Sequence, residues 1–365
     1  MNLPLSKPRP DIQHFARVIR GETLPAKPPL AELFLDHEIE REIAQSCLGL
    51  PWVEPGGAPE AMQAYLRNRT EVYYRLGYDY IRVSGGIDFP GKYLDAADTA
   101  ELSRGQRSWA NENEGPIRSW EDFERYPWPD PALASLWTYE YAASTLPEGM
   151  GLFVCPTSGF LEIPLDTLLG YQNLCYLVCE QPDLVGAVFK RVADIIHAMY
   201  QRLLGLPNLC GFFQGDDMGF KTGPLLSPAH LRELVLPSHK KLAGLAHQHG
   251  LLYMLHSCGN LGSIAEDLLE EVRIDARHSY EDEGNPVADF KARYGDRVAV
   301  LGGVDVDKLV RLPEDELRRH VRKVLDTCMP GGRFAIGSGN TVCNYVPLNN
   351  YFVMLEEAFN YAGGA

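Results

Sequence analysis

An imidazole and a thiol two residues apart, at the end of an apolar run, form a metal-ligand pattern. The chain carries one in Leu251-Leu-Tyr-Met-Leu-His256-Ser-Cys258-Gly-Asn260. Side chains alternate along a strand, so His256 and Cys258 converge on one point if strand geometry persists to its end. Imidazole plus thiolate suits Zn²⁺, which needs at least one more protein ligand. Cys343 is the best candidate. It lies in Ile336-Gly-Ser-Gly-Asn340-Thr-Val-Cys343-Asn344, a second segment that follows a short apolar run and breaks into glycines. Three protein ligands with an open position describe a catalytic zinc. A closed structural site would more often show paired C-x-x-C spacing, which is missing here. Two sulfurs and an imidazole leave the metal electron-rich, suited to a soft nucleophile or to polarising a departing ether oxygen.

Other polar residues fall just after apolar runs. Glu162 is a candidate displaceable fourth ligand, with helix capping or an arginine partner as the plain alternative. Asp216 and Asp217 are adjacent, so in extended chain they face opposite ways and one of them enters a pocket. Asp217 is the candidate general acid, and Asp216 a candidate substrate contact. His278 is a candidate proton donor or orienting group. Asp305, after Gly302 and Gly303, and Asn340 are candidates for holding loop amides or binding substrate. Arg104, Arg107 and Arg118, with Trp109, are candidates for gripping a carboxylate or an aromatic ring.

The elements that position them alternate. Apolar runs at 30–35, 78–84, 151–155, 209–214, 251–255, 274–278, 298–301 and 333–336 are separated mostly by helical stretches. Those stretches lie at about 58–76, 136–146, 164–179, 182–204, 227–250 (with a break near Pro237), 261–271, 285–293 and 313–328. A helix over 11–21 precedes them and one over 347–361 closes the chain. Roughly eight strands alternating with helices is the pattern of a parallel sheet with crossovers. No G-x-G-x-x-G follows an early strand, and the unusual polar residues gather at strand ends, where a barrel collects its active site. The expectation is a (β/α)₈ TIM barrel, one domain over 1–365, with an N-terminal extension and an irregular insertion or lid at 85–130.

Composition narrows the partners. Net charge is −15, with 49 Asp and Glu against 34 Lys and Arg, which disfavours nucleic acid and anionic membrane. No uncharged apolar run reaches the roughly 18 residues of a membrane span. Eight scattered cysteines without an export signal read as reduced thiols of a cytoplasmic protein.

With these residues assembled, the chain resembles the uroporphyrinogen decarboxylase superfamily, and within it the zinc-dependent, corrinoid-linked methyltransferase branch. The resemblance runs through Phe15-Ala-Arg-Val-Ile-Arg-Gly-Glu22, Asp216-Asp217-Met-Gly with Ser227-Pro228, and His256-Ser-Cys258-Gly-Asn260. It continues through Leu301-Gly-Gly-Val-Asp305 and Ile336-Gly-Ser-Gly-Asn-Thr341 with Cys343. It implies zinc on His256, Cys258 and Cys343, and methyl transfer between a small methylated substrate and the Co(I) of a corrinoid. The aromatic content of the insertion favours a methoxylated aromatic. The chain has no Asp-x-His-x-x-Gly motif, so the corrinoid would arrive on a separate partner protein. The tetrapyrrole decarboxylases of the superfamily use no metal, and their Met-Arg-Gln-Ala-Gly-Arg motif is missing here. Two other readings stay open: a metal-free decarboxylase of a polycarboxylate, and a non-catalytic, zinc-stabilised partner of a corrinoid protein. Oligomeric state is open as well, a homodimer included.

Overall fold

The computed structural model describes residues 3–56, 58–111 and 114–361. Seven strands form one parallel sheet, paired in chain order. They are β1 (Tyr80–Ser84), β2 (Gly151–Cys155), β3 (Leu209–Gly215), β4 (Leu252–His256), β5 (Ala276–His278), β6 (Ala299–Leu301) and β7 (Phe334–Ala335). Parallel neighbours require crossovers on one face, so the helices cover the outside and the sheet curls into a TIM-type barrel.

Residues 30–35 take the eighth position. Leu30 bridges Ile336 and Leu35 bridges Val342, both in parallel. The amide of Ala31 donates to the Ile336 carbonyl at 2.8 Å. Toward β1 the ladder is replaced by a side chain. The Tyr80 hydroxyl accepts from the Glu32 amide at 3.1 Å and donates to the Glu32 carbonyl at 2.9 Å. The eighth element is therefore a stave pinned on one edge by backbone and on the other by a phenol.

Strand alternation sorts the core. Leu33, Tyr80, Phe153, Phe213, Met254 and Leu301, each from a different stave, belong to one interior cluster. The intervening residues face the helices in a larger cluster. Helix Ile12–Ile19 plugs the lower end with Ile12, Phe15, Ala16 and Ile19, one face at helical spacing, and its first turn is capped by Asp11.

Two helical stretches divide, one where a break was expected near Pro237 and one where none was. The stretch expected at 227–250 divides into Pro228–Leu234 and Leu236–Gln248 around Val235, because Pro237 has no amide to donate and crowds the preceding turn. The stretch expected at 164–179 divides at Gly170, whose φ of 78° ends a π-helical segment, Ile163–Leu169. Short helices at His37–Glu42 and Val306–Arg311 were not expected.

The 85–130 insertion is not wholly irregular. It carries an antiparallel hairpin, Tyr93–Ala97 with Gln106–Ala110, and a short helix, Trp120–Arg125. Its three candidate arginines are ion-paired within the protein. Arg104 pairs with Asp36 and Glu38, Arg107 with Asp98, and Arg118 with Glu114. The first two tie the hairpin to the chain after the eighth stave and to itself. Trp109 is half-exposed, whereas Trp128 packs on Phe123 and Tyr126.

Tyr80→Phe keeps the packed ring but leaves both backbone groups of Glu32 without a partner. We expect it to lower unfolding stability by about 1–3 kcal/mol, read as a lower urea midpoint; an unchanged midpoint would mean the stave is held otherwise.

Candidate metal centre

β3 and β4 run side by side with Gly215 opposite His256, so their ends deliver side chains to the same spot on the rim. Beyond β3, Asp216 and Asp217 point opposite ways. Asp216 is fully buried beneath the rim. Its oxygens accept from the amides of Leu161 and Glu162 and from His239 Nε2 at 2.7 Å. Gly159 allows that approach, since a Cβ there would lie 2.0 Å from the Asp216 carboxyl carbon. The expected substrate contact through Asp216 is thus corrected: its carboxylate is consumed in shaping the 159–162 turn.

Asp217 enters the cavity. Its Oδ1 accepts from the Cys258 amide at 2.8 Å and lies 3.4 Å from His256 Nε2. Cys258 Sγ lies 3.5 Å from the same nitrogen. The chain reverses at Gly259, with φ of 78°, where a Cβ would lie 2.3 Å from the Gly219 carbonyl carbon. Among the described residues, Asp217, His256 and Cys258 form a group whose ligand atoms all lie within 4.8 Å of one another.

A relay fixes which nitrogen of His256 faces this group. His278 Nε2 is 3.2 Å from the Ser338 carbonyl, which can only accept, so Nε2 carries the proton. With His278 neutral, its Nδ1 is an acceptor, and His256 Nδ1 donates to it at 2.7 Å. Burial, and then the neighbouring His256, hold His278 well below the usual imidazole range, consistent with the neutral form. His256 therefore turns Nε2 toward a carboxylate oxygen and a sulfur. Only a proton or a cation between them makes that arrangement favourable.

The donor set fits zinc. Bonds of about 2.0–2.1 Å to N and O and about 2.3 Å to S, at tetrahedral angles, separate ligand atoms by about 3.3–3.6 Å. The separations from Nε2 are 3.4 and 3.5 Å. Asn340 Nδ2 donates to Cys258 Sγ at 3.2 Å, and Ser279 Oγ stands 3.9 Å from it, which favours thiolate character when a cation is present. Without one, burial and then the charge of Asp217 push the Cys258 thiol up, so it keeps its proton. Burial also opposes ionisation of Asp217, but His256 and the Cys258 amide outweigh it and hold that carboxyl down to about 2.

Asp217 and His256 line a cavity of about 510 Å³, together with Glu162, Arg82, Ser84, Asp88 and Asn340. Burial first, then Asp217, Asp216 and Asp166, push Glu162 well above the carboxylate range, so it faces Asp217 as a neutral acid. Glu162 and Cys343 both lie outside the three-residue group. Cys343 Sγ is 3.2 Å from Thr341 Oγ1 and faces a neighbouring cavity of about 760 Å³, with Asn340 in the wall between the two. Asp305 faces that second cavity and acts as a cap, accepting from the amides of Asp282 and Asp307 at 2.7 Å each. His278 is fully buried and reaches the cavity only through His256, so it positions and does not touch substrate. Arg82 was missed. Its place two residues after Tyr80 and two before Ser84 in one strand was the available signal.

Metal uptake must displace the Cys258 proton, while Asp217 is already ionised. Affinity for Zn²⁺ is therefore expected to fall as pH drops, with about one to two protons released per ion, read by calorimetry in buffers of different ionisation enthalpy. His278→Ala removes the acceptor that orients His256 and is expected to weaken zinc about 10–100-fold; unaltered affinity would show the relay to be idle.

Residues 109–361 match the uroporphyrinogen decarboxylase (URO-D) family. Among curated proteins no sequence matches. Two solved structures share the fold. A methyltransferase from Methanosarcina mazei aligns over 94% of this chain and 97% of its own, at 16% identity and a TM-score of 0.66. A putative vitamin-B12 independent methionine synthase from Listeria monocytogenes aligns over 92% and 96%, at 12% identity and a TM-score of 0.50. A match over more than two-thirds of the chain, on a barrel whose rim carries the group described above, means that the protein belongs to the uroporphyrinogen decarboxylase family.

Proposed function

We propose that the chain is a zinc-dependent methyltransferase that moves a methyl group from a small methylated substrate to the Co(I) of a corrinoid protein. A methoxylated aromatic is the favoured substrate. The observation that carries this reading is Nε2 of His256, held 3.4 Å from Asp217 and 3.5 Å from Cys258, with His256 and Asp217 both lining a small-molecule cavity. The likeness in fold to a methyltransferase supports it.

His256, Cys258 and Asp217 would hold the ion, with Cys343 the candidate for completing its shell. Zinc supplies a Lewis acid that draws charge from the heteroatom bearing the methyl group. The protein's own residues do the rest. As the methyl carbon leaves its ether oxygen for cobalt, the O–C bond pair stays on oxygen, which must gain a proton. Glu162, a carboxyl lining the same cavity as Asp217 and His256, would give it. Asp217 balances charge at the donor set, and its bond to the Cys258 amide keeps the 256–259 turn closed. His278 keeps His256 in the right tautomer. Asn340 stabilises the sulfur of Cys258.

A metal-free decarboxylase of a polycarboxylate is less well supported, since among the described residues Arg82 is the one arginine or lysine lining the cavity. A non-catalytic, zinc-stabilised partner would have no use for the cavity beside the ion.

Purified chain is expected to hold about one zinc and to demethylate members of a methoxyarene panel with Co(I) corrinoid as acceptor. Cys258→Ala should lose both zinc and transfer. Cys343→Ala should lose zinc only if that thiol swings in to bind. Zinc far below one per chain after repletion would remove this mechanism.

A further inference from the structure

The cavity floor holds a cation that the reaction above does not use. Arg82 lies in β1 on the interior face shared with Tyr80 and Ser84, and is 6% exposed. Its Nε donates to the Phe213 carbonyl at 2.9 Å, and the guanidinium carbon sits 5.7 Å from the centre of the Phe213 ring. Nη1 comes only within 3.5 Å of Ser84 Oγ. Among the described residues no carboxylate oxygen lies within 4 Å of it. Its neighbours differ. A side chamber of about 400 Å³ shares Arg82, Phe34 and Ser84 with the main cavity, and its other arginines are satisfied. Arg69 is paired with Glu40 at 2.9 Å and Arg104 with Glu38 at 2.8 Å. A buried guanidinium is costly unless an anion meets it, and its fork suits the two oxygens of a carboxylate.

The structure assigns Arg82 as the anchor for an anionic end, a carboxylate, of the ligand that fills the 510 Å³ cavity. The Phe213 carbonyl and ring hold the guanidinium from one side, and Arg82 lines the cavity. Ser84, Thr157 and Ser158 supply neutral donors around the same space. The assignment deepens the reading above, making the favoured substrate an aromatic ether that also bears a carboxylate. It rests on that reading only in taking this cavity as the substrate site.

Zinc-loaded full-length chain is titrated calorimetrically with 4-methoxybenzoate and with two neutral relatives, 4-methoxytoluene and methyl 4-methoxybenzoate. We expect the acid to bind at least about tenfold more tightly than either neutral ligand. Arg82→Met should abolish that preference and Arg82→Lys should reduce it, with binding of the neutral ethers unchanged. Equal affinities in the wild type, a preference that survives Arg82→Met, or no binding of any ligand would overturn the assignment. The wild-type comparison needs no variant and decides the matter if Arg82→Met does not fold. Methyl transfer from 4-methoxytoluene is scored separately. A chain that transfers nothing yet prefers the acid through Arg82 keeps the anchor and loses the transferase reading.

Discussion

The carbonyl of Ser338 can only accept a hydrogen bond, and two histidines are set by that fact. It takes the proton of His278 Nε2, which makes His278 Nδ1 an acceptor, which takes the proton of His256 Nδ1. What remains is the other ring nitrogen of His256, aimed at Asp217 and Cys258. Ser338 is held in turn by Glu32, whose oxygens accept from its amide at 2.7 Å and its hydroxyl at 2.5 Å. Glu32 hangs from the Tyr80 hydroxyl by its backbone. An uninterrupted line of hydrogen bonds thus runs from the eighth stave to the rim group, with every member buried.

Close packing along that line leaves no room for side chains at two points. Gly302 has φ of 85°, and a Cβ there would lie 2.2 Å from the Ser338 carbonyl oxygen and 2.9 Å from His278 Nε2. A Cβ at Gly337 would lie 1.8 Å from the Ala31 carbonyl oxygen. Glycine is needed at both because backbone and imidazole occupy the volume. The pair Gly302-Gly303 in the sequence therefore marks a support of the site and not a ligand loop.

The legible part of the site lies within two residues of the ends of regular strands. Period-two alternation puts His256 and Cys258 on one side, and it turns Asp216 and Asp217 to opposite sides; both follow from geometry that continues to the last ladder bond. Cys343 lay beyond that reach. After Ala335 the chain makes only isolated bridges and turns, so residue spacing no longer encodes direction. Asp217 as a ligand-type neighbour depended on the register of β3 against β4, which a single sequence does not reveal. Arg82 went unseen because one arginine in Tyr-Ile-Arg-Val-Ser reads as a solvent-facing position until the barrel closes around it. The hairpin at 93–110 was illegible for the opposite reason. All of Tyr93–Ala97 is exposed, so burial imposes no alternation on it.

The stave that completes the barrel comes from residues 30–35, and its backbone partners lie around 336 and 342, about three hundred positions later in the chain. The first barrel segment to leave the ribosome thus waits for nearly the last. Until the two meet, Glu32 cannot seat Ser338, and neither histidine has its tautomer imposed. Contacts so distant in sequence form late, since ring closure over that length carries a high entropic cost. A nascent or C-terminally trimmed chain would own every ligand-type residue up to His278 and still lack a preorganised grip on an ion.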